Sequence, residues 1–202
     1  LTTTGSFTVT VTDTQAPAIV ALPGNISVSN DANACGAVVS WTAPTASDNC
    51  TGSTIAQTAG LASGALFPIG TTTVTYTATD AAGLTTTGSF TVTVTDTQAP
   101  AITTPVNVAV SNDTGECGAL VNITAPMVTD NCGVQGSVVG TRDDNEELAA
   151  PFPLGVTTIT WRASDIYGNQ ADIKTQTVTV NDTQSPVTPT IAAATGECSV
   201  TV

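Results

Sequence analysis

The 202-residue sequence predicts an all-β protein, a tandem of antiparallel β-sandwiches, on three observations. Apolar residues alternate with Thr and Ser in short runs, the two-residue period of strands with one buried face, and no stretch carries a helical period. Clusters of Gly, Pro, Asp and Asn punctuate those runs about every ten residues. Residues 1–19, LTTTGSFTVTVTDTQAPAI, return letter for letter as residues 84–102, and a divergent copy, TQTVTVNDTQSP, occupies residues 175–186. This periodicity divides the chain into 1–12 (the last strand of a preceding repeat), 13–95 and 96–181 (two whole repeats), and 182–202 (the start of a following truncated repeat). The expectation is a segment of a longer array.

Each element follows from local pattern. In residues 1–12, Phe7, Val9 and Val11 alternate with Thr and predict a strand, which Pro17 stops because it cannot donate to a ladder. Ala18-Ile19-Val20 leads to a Pro23-Gly24 turn. Asn25 to Asn30 reads as a strand with Ile26 and Val28 inward. After a turn, Gly36 to Thr42 is the next, with Val39 and Trp41 in the core. Residues 43–52 read as a loop, 53–58 as a weaker strand and 60–64 as a loop. Residues 71–79 are the strongest strand, with Val74, Tyr76 and Ala78 on one face, and the Asp80–Gly83 turn leads to the final strand, 84–95. The second repeat follows the same order, with Ile123 in the place of Trp41 and Trp161 in the place of Tyr76. That exchange conserves volume if both positions face one core. Its one large difference is the acidic loop TRDDNEEL, residues 141–148. Thr on the outward positions suits a wetted strand face.

Sixteen acidic residues against three basic ones and no His give a net charge of −13. That balance argues against nucleic acid and against anionic membrane surfaces, both of which require clustered Lys and Arg; no direct membrane insertion is expected. It favours solubility and divalent cations. Cys35 and Cys50 share the spacing of Cys117 and Cys132, and Cys198 stands where a further pair would begin. Recurring Cys without His fit disulfides better than zinc, so the expected bonds are Cys35–Cys50 and Cys117–Cys132, with Cys198 a truncated pair. Closing loops of that length is worth roughly 3 kcal/mol each, and the implied compartment is oxidising.

The ordered motifs D-T-Q-A-P, N-I-S-V-S, C-G-A-V-V-S-W, S-D-N-C, F-P-I-G-T-T-T-V-T-Y-T-A-T-D-A-A-G and F-T-V-T-V-T-D resemble the hyalin repeat (HYR) family. The resemblance covers both repeats and the fragments. It implies an immunoglobulin-like fold, an extracellular or cell-surface location and a role in adhesion. Many members carry a second Cys pair where this chain has Leu22 and Gly88. The close repetition and acidity are also similar to giant bacterial repeat adhesins, including surface adhesins of gliding bacteria.

The chain lacks His and a Gly-x-Ser-x-Gly elbow, and a small sandwich rarely offers a cleft; no enzyme is expected. The run Asp143-Asp144 and Glu146-Glu147 reads as a solvated loop. The metal candidates are Asp13, Asp48 and Asp80, recurring as Asp96, Asp130 and Asp165. With Asn49 or Asn131 and backbone carbonyls they supply the oxygens calcium prefers, and the linker resembles the D-x-N-D-N-A-P junctions of cadherins. Strand parity brings all three carboxylates of a repeat to one end. A Cys35–Cys50 bond, however, would pull residues 43–50 back along the strand and Asp48 with them, leaving Asp13 and Asp80 as the better pair. The alternative needs no metal: Asp13 and Asp96 cap turns, and Asp80 and Asp165 make Asx-type bonds in the turns ending at Gly83 and Gly168. Asn25, Asn49, Asn112, Asn122 and Asn181 begin glycosylation sequons, meaningful in a secretory eukaryotic host.

The functional expectation is a spacer module of a cell-surface adhesin or filament, each repeat adding roughly 34 Å if its strands are about ten residues long. Its partners would be neighbouring repeats, with self-association through exposed strand edges open. The alternative is a module that itself binds a carbohydrate or protein through the 141–148 loop and Tyr167. No cofactor is required in either case; calcium is the one candidate.

Overall fold

The structure, a computed structural model, describes residues 1–186. Cys198 and most of the expected terminal fragment, 182–202, lie outside the described residues. Among those residues the strands are β1 (Ala18–Val20), β2 (Ile26–Ser29), β3 (Gly36–Val39), β4 (Thr45–Ser47), β5 (Thr54–Ala59), β6 (Ala65–Pro68), β7 (Gly70–Thr79), β8 (Thr85–Thr95), β9 (Ala101–Ile102), β10 (Val108–Ser111), β11 (Gly118–Ala119), β12 (Val128–Thr129), β13 (Val139–Arg142), β14 (Phe152–Pro153), β15 (Gly155–Arg162) and β16 (Lys174–Asn181). They fall into two units. Unit 1 comprises Leu1–Ile102, Met127–Val138 and Ala163–Asp172; unit 2 comprises Thr103–Pro126, Val139–Arg162 and Ile173–Val202, described to residue 186.

In unit 1 the main sheet has the order β2-β8-β7-β5. β7 and β8 are antiparallel from Gly70↔Val94 to Thr79↔Thr85. β2 lies along β8 in parallel, from Ile26↔Val92 to Ser29↔Thr95, a departure from a wholly antiparallel ladder. The antiparallel pair β3–β6 brings Ala37, Val39 and Phe67 onto Val74, Tyr76, Phe90, Val92 and Val94 to form one core. Trp41 packs edge-on against Phe67 and Phe90, with ring centroids 5.8 and 5.2 Å away. Its Nε1 donates to the Tyr76 hydroxyl at 2.9 Å, which satisfies the polar atom of a half-buried indole. On the outer face Thr hydroxyls pair across strands, Thr71 with Thr93 at 3.1 Å and Thr58 with Thr77 at 3.0 Å. β4 lies inside residues 43–52, which read as loop; it pairs with β1, which supplies the backbone partners that a short polar run does not advertise.

In unit 2 the order β10-β16-β15-β13 repeats that sheet, again with one parallel pair, β10 with β16. Phe152, Ile159, Trp161, Val178 and Val180 are buried. Trp161 Nε1 donates to Gln176 Oε1 at 3.1 Å, and Gln176 Nε2 donates to the Val106 carbonyl at 2.6 Å. Gln176 stands where unit 1 has Phe90, so the aromatic exchange brings its own hydrogen-bond partner.

Two expectations are corrected. Residues 1–12 form no strand: Phe7, Val9 and Val11 are 89%, 72% and 90% exposed, whereas the identical Phe90, Val92 and Val94 are 3%, 0% and 1% exposed. The sequence is the same; β8 has β7 and β2 beside it and the first copy has no paired strand among the described residues. The disulfides also differ. Cys35 bonds to Cys132, across a sequence separation of 97 with Cα atoms 4.8 Å apart, and Cys50 and Cys117 are free and exposed. Neither Cys35–Cys50 nor Cys117–Cys132 forms. Cys35 precedes Gly36, which pairs with Pro68 just ahead of β7, while Cys50 lies among carboxylates that include Asp80, just past the end of β7. A ten-residue strand spans about 33 Å, and a disulfide tolerates about 7 Å between Cα atoms.

Candidate metal centre

Among the described residues, two groups of ligating side chains stand together, both in unit 1: Asp96 with Asp130 and Asp165, and Asp13 with Asp48 and Cys50. In each group one ligand atom per residue lies within 4.8 Å of the others. Local turns place these carboxylates. Asp96 directly follows β8, and its Oδ1 accepts the Gln98 N–H at 3.1 Å; Asp13 does the same with Gln15 at 3.1 Å. Asp130 Oδ2 accepts from Cys132 N at 2.8 Å, as Asp48 Oδ2 does from Cys50 N at 3.2 Å. Asp165 Oδ1 accepts from the backbone of Tyr167 and Asn169 at 2.8 and 2.9 Å, and Asp80 Oδ1 from Leu84 N at 2.8 Å. The turn chemistry anticipated at Asp13, Asp96, Asp80 and Asp165 is therefore present, Asp48 and Asp130 make the same kind of bond, and one oxygen of Asp48, Asp80, Asp96 and Asp130 is left over.

The remaining oxygens distinguish the group around Asp96. Asp96 and Asp165 are 4% and 0% exposed. Asp96 Oδ2 and Asp130 Oδ1 are buried with no hydrogen-bond partner, as is Asn131 Oδ1 on the next residue; Asp48 Oδ1 and Asp80 Oδ2 repeat the pattern. Asp165 Oδ2 accepts from Asn169 Nδ2 at 2.6 Å. Arg142, Arg162 and Lys174, the chain's only cations, all belong to unit 2. Buried carboxylates are ordinarily paired or bound to metal, and no side chain of unit 1 carries the compensating charge. Burial alone would raise the Asp165 carboxyl, but the bonds from the Asn169 side chain and from the Asn169, Tyr167 and Gly168 backbone outweigh it and hold the group below its ordinary value, in the anionic form. Around Cys50 the thiol is pushed up, first by its hydrogen bond to Asp13, then by burial and by the charges of Asp13, Asp48 and Asp80. Asp48 thus stays with Asp13. The bond that was expected to pull it away does not form.

Calcium takes six to eight oxygens. Asp96, Asp130 and Asp165 with Asn131 offer such a set, three of its oxygens still unpartnered, so the donor chemistry fits a hard divalent cation. Sequence reasoning missed two features. Asn169 ties the Asp165 turn to the linker through the Asp96 and Gln98 carbonyls, at 3.3 and 3.4 Å. The linker itself is clasped: Asn30 Oδ1 accepts from Thr97 N at 3.0 Å and Gln98 Oε1 from Asn33 N at 2.8 Å. In unit 2, Asn112 and Gln184 make the matching bonds to Thr183 N at 3.2 Å and Gly115 N at 2.9 Å. The signal was the recurrence of Asn and Gln at fixed places in otherwise variable turns. The acidic 141–148 loop is also more than a solvated run: it folds over the Arg142 guanidinium, which bonds Asp144 and three backbone carbonyls.

Repeated β-sandwiches joined by clasped, acidic linkers define a tandem-module protein. Residues 12–94 and 95–187 each match the HYR domain, and the chain belongs to that family. It is 36% identical over 188 residues to the hyalin of Strongylocentrotus purpuratus, covering 89% of this chain and 15% of that protein. Against the hyalin of Lytechinus variegatus it is 35% identical over 194 residues, covering 93% of this chain and 35% of the relative. The chain therefore spans about a third of these relatives or less. The narrower resemblance to bacterial adhesins draws no support from them. Among solved structures, human mucin-like protocadherin EC1-2 covers 84% of this chain and 100% of its own, at 12% identity and a TM-score of 0.40, a loose likeness in fold.

Proposed function

We propose that the chain is a non-catalytic stretch of extracellular adhesion modules, acting as a spacer whose junction is stiffened by calcium at Asp96, Asp130 and Asp165. The observation that carries the reading is the set of buried, unpartnered oxygens on Asp96, Asp130 and Asn131, in a unit without a single Lys or Arg. A bound calcium ion would offset two of the three carboxylate charges and tie the linker residue Asp96 to the two turns that carry Asp130 and Asp165. Membership of the HYR family and the Cys35–Cys132 bond support the extracellular assignment, since such bonds persist in oxidising compartments. The group at Asp13, Asp48 and Cys50 occupies the equivalent place one repeat earlier. Use of the 141–148 loop as a ligand surface is the weaker reading, because that loop is committed to holding Arg142.

Thermal melts of the non-reduced chain with calcium and with a chelator test the proposal. The expected melting point rises with calcium concentration, following the mass-action law for a ligand of the folded state, and D96N and D130N flatten that dependence. A melt indifferent to calcium would remove the metal from the reading.

A further inference from the structure

Superposing the repeats in sequence sets Cys35 against Cys117 and Cys50 against Cys132. The bond observed joins unlike members, the first-position Cys35 to the second-position Cys132. Among the described residues, the two thiols left over are therefore one of each kind: Cys117 in the first position, Cys50 in the second, both exposed.

Their settings copy those of the bonded pair. Before Cys35, Asp31 N donates to the Gly36 carbonyl at 2.8 Å and Val38 N to Asp31 Oδ2 at 2.9 Å; before Cys117, Asp113 N donates to the Gly118 carbonyl at 2.8 Å and Leu120 N to Asp113 Oδ2 at 2.9 Å. Cys50 follows Asp48 and Asn49 as Cys132 follows Asp130 and Asn131, with the same Asp-to-Cys backbone bond. Beside the existing disulfide, Asn131 Nδ2 donates to the Ala34 carbonyl at 2.9 Å. The equivalent acceptor next to Cys117 is the Glu116 carbonyl, at the edge of an open concavity lined by Asp113, Glu116, Gly118, Arg142 and Phe152.

We propose that Cys117 and Cys50 are complementary halves of an inter-repeat disulfide, so that Cys117 of one copy of this chain bonds to Cys50 of a second copy, with Asn49 of the second copy donating to the Glu116 carbonyl of the first. In a tandem array the same rule staples every repeat to the next. Bond formation removes one hydrogen from each thiol; the two protons and two electrons pass to a small-molecule disulfide such as oxidised glutathione, which leaves as two thiols. The proposal does not depend on calcium.

Complementation tests it, with Cys198→Ser in every sample to silence that thiol. In a glutathione redox buffer the C198S chain should form dimers and higher head-to-tail oligomers on non-reducing gels. C50S and C117S, each added to C198S, should each lose linkage when incubated alone. Their mixture should give a dimer and nothing larger, with a Cys50–Cys117 peptide in the non-reduced digest. The Cys35–Cys132 peptide in every sample shows that each variant has folded. Variants that link as readily alone as mixed would mean ordinary exposed thiols, and an absence of linkage in every sample would equally overturn the proposal.

Discussion

Arg142 has five N–H donors, and the fold uses each of them. Nε and one Nη2 hydrogen meet Asp144, Nη1 donates to the Glu147 and Ala150 carbonyls at 3.0 and 2.9 Å, and Nη2 donates to the Pro151 carbonyl at 3.2 Å. The guanidinium carbon also lies 3.9 Å from the centroid of the buried Phe152 ring. A Lys cannot reproduce the fork, and R142M, which leaves the Glu147, Ala150 and Pro151 carbonyls without their donor, should cost about 1 to 3 kcal/mol in urea unfolding. Arg142 holds the Asp144 carboxyl below its ordinary value of 3.8. A depressed folded-state pKa gives stability that is fully present above the unfolded value and is lost as pH falls through the folded one. D144N should therefore be less stable than the parent at pH 7, and the gap should close under acid titration below about pH 4; a gap of constant size would show that the charge of Asp144 is not what matters. The acidic loop was legible in the sequence as acidic, but its purpose was not. A single Arg among four carboxylates was the only sign that the run folds inward.

The strands were the most legible elements, because alternation is local, whereas their partners lie far along the chain. Residues 1–12 and 84–95 separate the two kinds of information: pattern alone assigns both a strand, and only the second has neighbours on both sides. One substitution should then have opposite consequences in the two copies. V92D places an unpaired charge in a fully buried position and should cost about 4 kcal/mol or more, whereas V9D should stay within about 0.5 kcal/mol. Equal losses in urea unfolding would mean that the first copy is packed in solution. The parallel pairing of β2 with β8 was hidden for the same reason, since alternation does not encode strand direction. The missing second Cys pair was easier to interpret. A Cβ on Gly88 would come within 2.9 Å of Leu22 Cδ2, so Leu22 already packs over the glycine where relatives are expected to carry a bridge.

At the scale of the molecule, the regular cysteine spacing points to bonds within each repeat only if neighbours in sequence are also neighbours in space. The length of β7 forbids that pairing, and the bond found instead joins residues from the first and second HYR matches. In the chain-entropy account, closing a loop of this size stabilises by roughly 4 to 5 kcal/mol, against about 3 for the short loops first expected. The same bond anchors the turn that carries Asp130: Cys132 N donates to Asp130 Oδ2, and the neighbouring Asn131 carries one of the buried unpartnered oxygens. Cutting it should therefore have two effects. C35S should lower unfolding stability by up to that amount, and it should also shrink the calcium-induced rise in melting point, because Asp130 must then be ordered at the expense of binding energy. Melts of the parent and C35S, each with calcium and with a chelator, read both terms from four curves. A lower melting point with an undiminished calcium shift would mean that the disulfide and the carboxylates act independently, whereas a diminished shift would make the disulfide part of the metal site's preorganisation.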